Sequence, residues 1–129
     1  MFNSATLVGN AGKGKAELRY TTQGKAVVTF SLATNESYRD KEGNFKTRTT
    51  WFKCTAWDKL AESVAKNVTE GRKLMVVGPV GAEAWNDGEG KARAQATITV
   101  REIRYLDSNA KDDGETAEEE FSGEAPVEE

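Results

Sequence analysis

The sequence predicts an all-β domain: a five-stranded Greek-key barrel with one helix between its third and fourth strands. Three observations carry this. Several runs alternate apolar and polar residues with a period of two, the spacing of a half-buried strand. One segment, KLAESVAKNV, instead repeats its apolar residues at helical spacing. Turn-forming glycines and a charged hairpin tip separate these runs into the order strand, strand, strand, helix, strand, strand.

In chain order, Ala5 to Gly9 is a short apolar strand, and Gly9, Gly12 and Gly14 then break regular structure into a loop or bulge. Leu18 to Tyr20 can pair before Gly24 restarts a long strand, KAVVTFSLATNES, with Val28, Phe30 and Leu32 on one side and Thr29, Ser31 and Ala33 on the other. The segment YRDKEGNFK, with Gly43-Asn44, reads as a hairpin tip, which makes the flanking strands antiparallel neighbours. Next comes KTRTTWFKCTAW. Thr47, Thr49, Trp51, Lys53, Thr55 and Trp57 share one face, and Arg48, Thr50, Phe52, Cys54 and Ala56 share the other.

Asp58 suits the N-cap of a helix whose stripe is Leu60, Ala61, Val64, Ala65 and Val68, with Gly71 as the stop. KLMVVGPV is a strand weakened at Gly78-Pro79, and Trp85 leads into the turn NDGEG. The last strand, KARAQATITV, points Ala92, Ala94, Ala96, Ile98 and Val100 inward and Lys91, Arg93, Gln95, Thr97 and Thr99 outward. The parity flips after Val100, since Ile103 and Tyr105 are the apolar residues, so a bulge or an exit from the barrel is expected there. This is the element order of an OB-fold, a partly open barrel that commonly binds oligonucleotides; a Tudor-like or SH3-like barrel normally has no such helix.

A chain of 129 residues has room for one domain. A single cysteine and no histidine exclude an intramolecular disulfide, His-ligated zinc and His-based catalysis. No apolar run is long enough to span a bilayer, and the first ten residues lack a signal-peptide layout, so a soluble protein of a reducing, cytoplasmic compartment is expected, without a membrane partner. The net charge of −3 conceals an asymmetry: residues 107–129 hold ten acids and one base, leaving 17 bases and 11 acids in 1–106, so the body is +6 and the tail −9. That division marks a polyanion-binding domain, 1–106, followed by an acidic tail, 107–129, whose low hydropathy and high charge predict disorder.

The polar face of the third strand carries two tryptophans with a lysine between them. Water does not reward exposed indoles, whereas single-stranded nucleic acid offers bases to stack on them and phosphates to meet the lysine. The competing reading is burial of both rings in a second apolar layer or a subunit interface. Here the chain resembles one family. TLVGN, the LATNESYRDKEGNFKTRTTW block and the WDKLAE helix start look like the bacterial single-stranded DNA-binding protein family, over about residues 1 to 106 and into the acidic tail.

The resemblance implies an OB-fold homotetramer that wraps single-stranded DNA during replication, recombination and repair, without catalysis, cofactor or metal. The family's stacking aromatics fall on Tyr38, Trp51, Trp57 and Trp85, and its phosphate contacts on Arg19, Lys41, Lys46, Lys53 and Lys59. This chain departs from the family in having Gly81-Ala82-Glu83-Ala84 before Trp85 and Thr69-Glu70 before Gly71 where relatives carry bases, which predicts fewer phosphate contacts and a smaller wrapped length. Phe52 stands where many relatives have an interface histidine. The tail ends FSGEAPVEE rather than in aspartates followed by Pro-Phe. It is either a solubilising extension, the preferred reading, or a dock for replication and repair proteins through Phe121. Two rival classes are an OB-barrel nuclease, for which Asp40 and Glu42 are the nearest paired carboxylates, and an accessory protein-interaction subunit of the replication or primosome machinery.

Overall fold

Residues 1–14 and 16–106 are described by the computed structural model; the acidic segment 107–129 lies outside them. Eight strands and one helix follow in the order β1 (Ala5–Ala11), β2 (Glu17–Tyr20), β3 (Ala26–Arg39), β4 (Phe45–Trp57), α1 (Asp58–Asn67), β5 (Lys73–Gly78), β6 (Val80–Asn86), β7 (Ala92–Thr99) and β8 (Glu102–Tyr105). Five barrel lines emerge once the breaks are assigned. β1 and β2 are separated by the glycine loop, β5 and β6 by Pro79, and β7 and β8 by Val100-Arg101. The pairing runs β6-β7-β4-β3-β1-β5-β8, with β2 on β3. Because β8 continues β7 and pairs with β5, the sheet closes on itself. Backbone bonds from Thr99 N to the Pro79 oxygen and from Arg101 N to the Val77 oxygen fasten that seam at 3.1 and 2.8 Å. The result is the OB-fold.

The core follows the alternation. Val28, Phe30 and Leu32 of β3 meet Cys54 and Ala56 of β4, Leu74 and Val76 of β5, and Ile98 of β7, with Ala61 and Val64 of α1 closing one end. Two glycines in the strands are needed for close approach: a Cβ on Gly9 would overlap the Ala33 carbonyl oxygen, and one on Gly78 the Thr99 oxygen. The parity flip after Val100 is the break between β7 and β8, and Ile103 is buried beyond it.

Four local expectations need correction. Asp58 does not cap α1: it is the first helical residue, with φ of 57°, Trp57 occupies the cap position, and no side-chain cap bond forms. Aspartate is one of the few residues to tolerate that conformation. Gly71 does not end the helix either. Val68 does, in extended conformation, with its N–H on the Val64 oxygen, and Gly71 turns the chain three residues later at φ of 81°. The hairpin tip is shorter than YRDKEGNFK suggests, because pairing continues to Arg39 opposite Phe45. Finally, Trp85 lies inside a strand, β6, and Ala92 and Ala94 are exposed rather than inward, because β6 and β7 project past the barrel as a second arm.

Candidate nucleic-acid interface

The outer face of β2, β3, β4, β7 and β6 is where the exposed aromatics gather, and the strand register fixes its rows. Arg19 faces Val27, which faces Trp57. Two residues along, Glu17, Thr29, Thr55 and Thr99 form the next row. Ser31, Lys53, Thr97 and Gly81 form the third. Beyond it Ala33 faces Trp51 while Glu83 faces Gln95, and beyond that Asn35 faces Thr49 while Trp85 faces Arg93. Residues two apart share a sheet face, so Arg19, Trp57, Lys53, Trp51, Glu83, Arg93 and Trp85 all look outward together. The indoles stay open, at 49% (Trp51), 40% (Trp57) and 46% (Trp85) exposure. Burial in a second apolar layer of this chain is therefore excluded.

Trp51 lies on backbone. A Cβ on Gly12 would come 2.9 Å from its Cζ3 atom, and the Gly12 N–H is held by the Ser31 oxygen at 2.9 Å. The bare glycine thus leaves room for the six-membered ring of the indole, which stays half exposed. This role of Gly12 has no sequence signal beyond its place in a glycine-rich loop.

Tyr38 and Lys46 sit elsewhere. They face each other in the β3–β4 register, at positions whose parity is that of Phe30, Leu32 and Phe52, so they occupy the opposite face of the arm from Trp51. There the Arg48 guanidinium lies 4.6 Å over the Tyr38 ring, a cation–π contact. Lys41 is exposed in the tip, and Lys59 is exposed in the first turn of α1, two residues after Trp57. The nine sequence-derived positions therefore divide into a barrel-face group (Arg19, Trp51, Lys53, Trp57, Trp85), with Lys59 at its border, and an arm group (Tyr38, Lys41, Lys46).

The electrostatics hold a feature that charge counting hides. Lys53 Nζ is 3.3 Å from both carboxylate oxygens of Glu83, across the intervening strand β7. Arg93 Nε donates to Asp87 Oδ2 at 2.9 Å, Arg48 is 3.6 Å from Glu36, and Lys46 is 3.9 Å from Asp40. Two cations of the outer face, Lys53 and Arg93, are thus already paired with carboxylates, as are Arg48 and Lys46 on the opposite face of the arm. Asp87 is held below the usual carboxylate range foremost by the Lys91 backbone N–H, then by Arg93 and the Glu89 N–H. Arg93 was legible as outward-facing, but its place beside Trp85 needed the β6–β7 register. In the core, burial pushes the Cys54 thiol up to about 12.

Comparison with known proteins identifies the family and the fold. The model of the single-strand binding protein family matches residues 2–106. Single-stranded DNA-binding protein 1 of Chlorobaculum tepidum is 34% identical over 113 residues, 87% of this chain and 68% of that protein. The single-stranded DNA-binding protein of Helicobacter hepaticus is 29% identical over 88% of this chain, which spans 66% of that relative's length. Among solved structures, a Plasmodium falciparum SSB complex with ssDNA superposes with a TM-score of 0.71 at 26% identity, covering 83% of this chain and 97% of the other. A small single-stranded DNA-binding protein from Streptomyces coelicolor gives 0.69 at 25% identity, covering 81% and 95%. The family match spans the barrel and both arms, and on that basis the chain belongs to the single-strand binding protein family.

Proposed function

We propose that this chain binds single-stranded DNA with little sequence preference and protects it during replication, recombination and repair. The observation that carries this is the outer face of the sheet, where three half-exposed tryptophans lie among cations: Trp57 in the row of Arg19, Trp85 opposite Arg93, and Trp51 one row beyond Lys53. Bases stack on the indoles, each stack contributing about 1–3 kcal/mol by alanine substitution, and any base has a π-face. Phosphates meet Arg19, Lys53 and Lys59 on the barrel, and Lys41 and Lys46 on the arm, where Tyr38 supplies a stacking ring. Binding is stoichiometric and involves no bond-making. Asp40, the carboxylate a nuclease reading would enlist, is occupied otherwise: its Oδ1 accepts the N–H groups of Glu42 and Asn44, both at 2.9 Å.

The working unit is a homotetramer in the cytoplasm. Among the described residues, β1 pairs with β5 from Ala5 to Asn10 but with β3 at Asn10 and Ala11 alone, leaving one edge from Ala5 to Val8 for a second copy. Val8, 47% exposed, lies on that stretch. The tail 107–129 acts as a solubilising, DNA-repelling extension of the binding domain 1–106. The test is Trp51→Ala: its affinity for oligo(dT) should fall by about 5-fold or more with the circular dichroism spectrum unchanged. Unaltered affinity would remove Trp51 from the site and favour an accessory protein-interaction subunit.

A further inference from the structure

Beyond the aromatics already assigned, β4 carries one more on the same face. Trp57, Trp51 and Phe45 are spaced six residues apart and share odd parity, so all three side chains project from one side of the strand. At about 3.3 Å per residue they mark points some 20 Å apart along a track of roughly 40 Å. Phe45 is 72% exposed, more than any of the tryptophans. A single exposed aromatic needs no explanation, but three features set this one apart.

First, it is held in place. Phe45 opens β4 opposite Arg39, directly after a turn fastened by Asp40 Oδ1 on the Glu42 and Asn44 N–H groups and by Asp40 N on the Asn44 oxygen, with Gly43 at φ of 84°. Second, the Arg39 guanidinium lies 4.6 Å from the ring centroid. Aromatic and cation are thus presented together, the pair that a nucleotide's base and phosphate require. Third, the residues between it and Trp51 on that face are Thr47 and Thr49, with Ser37 and Asn35 as their cross-strand partners. These are small and polar, and Thr49 Oγ1 is tied to Asn35 Oδ1 at 2.7 Å. No bulky side chain interrupts the path.

We propose that Phe45 and Arg39 form a further single-stranded DNA subsite at the arm tip, extending the track that begins at Trp57 and passes over Trp51. This rests on the DNA-binding reading above, and the experiment separates the two. Phe45→Ala and wild type are titrated with two oligo(dT) lengths, one able to cover Trp51 and Trp57 but not the tip, the other long enough to reach it. The long oligomer should bind Phe45→Ala about 5-fold or more weakly than wild type, while the short one binds both equally. In Phe45→Trp, with the three native tryptophans replaced by phenylalanine, the tip indole should be quenched by long oligo(dT). Equal affinity of Phe45→Ala for the long oligomer, or an unquenched tip indole in a variant that binds it, would overturn the subsite while leaving the barrel-face site standing. Loss of short-oligomer binding in Phe45→Ala would also overturn it, because the tip would then act through the fold. Failure of wild type to bind either length would instead refute the DNA-binding reading itself.

Discussion

Replacing Glu83 with glutamine should make this protein bind single-stranded DNA more tightly. In the free protein the Glu83 carboxylate holds Lys53 with both oxygens at 3.3 Å, in the row that lies between Trp57 and Trp51. A phosphate can take Lys53 only by displacing that carboxylate. The side chains are 37% and 47% exposed, so solvent screens the pair and its worth is well under about 1 kcal/mol. The carboxylate also repels the incoming phosphate: at roughly 6 Å in water this is about 0.7 kcal/mol, less once salt screening over about 8 Å is included. Removing both effects gives a gain of about 1 kcal/mol, near 5-fold in affinity. The salt dependence should steepen too. In wild type, freeing Glu83 recaptures a cation as the DNA releases one. Glu83→Gln abolishes that exchange, so the slope of log affinity against log salt should grow by up to about 0.7. Oligo(dT) titrations at several salt concentrations measure both quantities at once. Identical affinity and identical slope in the two proteins would show that Lys53 does not engage phosphate, and the reasoning would fail.

Three other expectations follow from the same geometry. Gly12→Val places branched carbon against the Trp51 indole and Ser31, so oligo(dT) affinity should fall by about the value of one stack, 1–3 kcal/mol, with thermal stability little changed; equal affinity would show that the room Gly12 leaves for the ring is unimportant. The Asp87 carboxyl is depressed below its ordinary 3.8, foremost by the Lys91 N–H. The turn it braces is therefore fully supported above that value and loosens as pH falls through the folded one. The Trp85 indole resonance should hold steady from neutral pH down to that range and shift below it, and a shift centred near neutrality would contradict this. Burial raises the Cys54 thiol from 9.0 to about 12. Below pH 9.0 it is neutral whether folded or unfolded, and above that only the unfolded chain ionises it, so stability should decline as pH rises from 9.0 toward 12. Cys54→Ser, ionising in neither state, should lack this component of the decline.

The two faces of β4 were legible because its alternation, from Phe52 through Trp57, is uninterrupted and one parity is uniformly small or apolar. The arm was not. YRDKEGNFK carries five charges and reads as loop, yet Tyr38 and Arg39 are paired strand residues, because cross-strand contacts such as Glu36 with Arg48 sustain the ladder beyond the core. Strand β6 escaped notice since VGAEAWN has little strand propensity. Its small residues are tolerated, and at Gly81 fitted, by the approach of Thr97, whose Oγ1 would lie 3.0 Å from an added Cβ. The Lys53–Glu83 pair joins residues 30 apart through a register that no local pattern encodes. The family resemblance marked Glu83 as a missing base; what it does to Lys53 is a property of the folded sheet.

The function rests on the three indoles of the outer face acting as stacking platforms. Tryptophan fluorescence during titration with oligo(dT), and in parallel with duplex DNA of matched length, tests it most directly. Stacking requires strong, saturable quenching by oligo(dT) that weakens with salt, and little response to the duplex, whose bases are already stacked. Binding of oligo(dT) with the indoles unquenched, or equal quenching by the duplex, would contradict it.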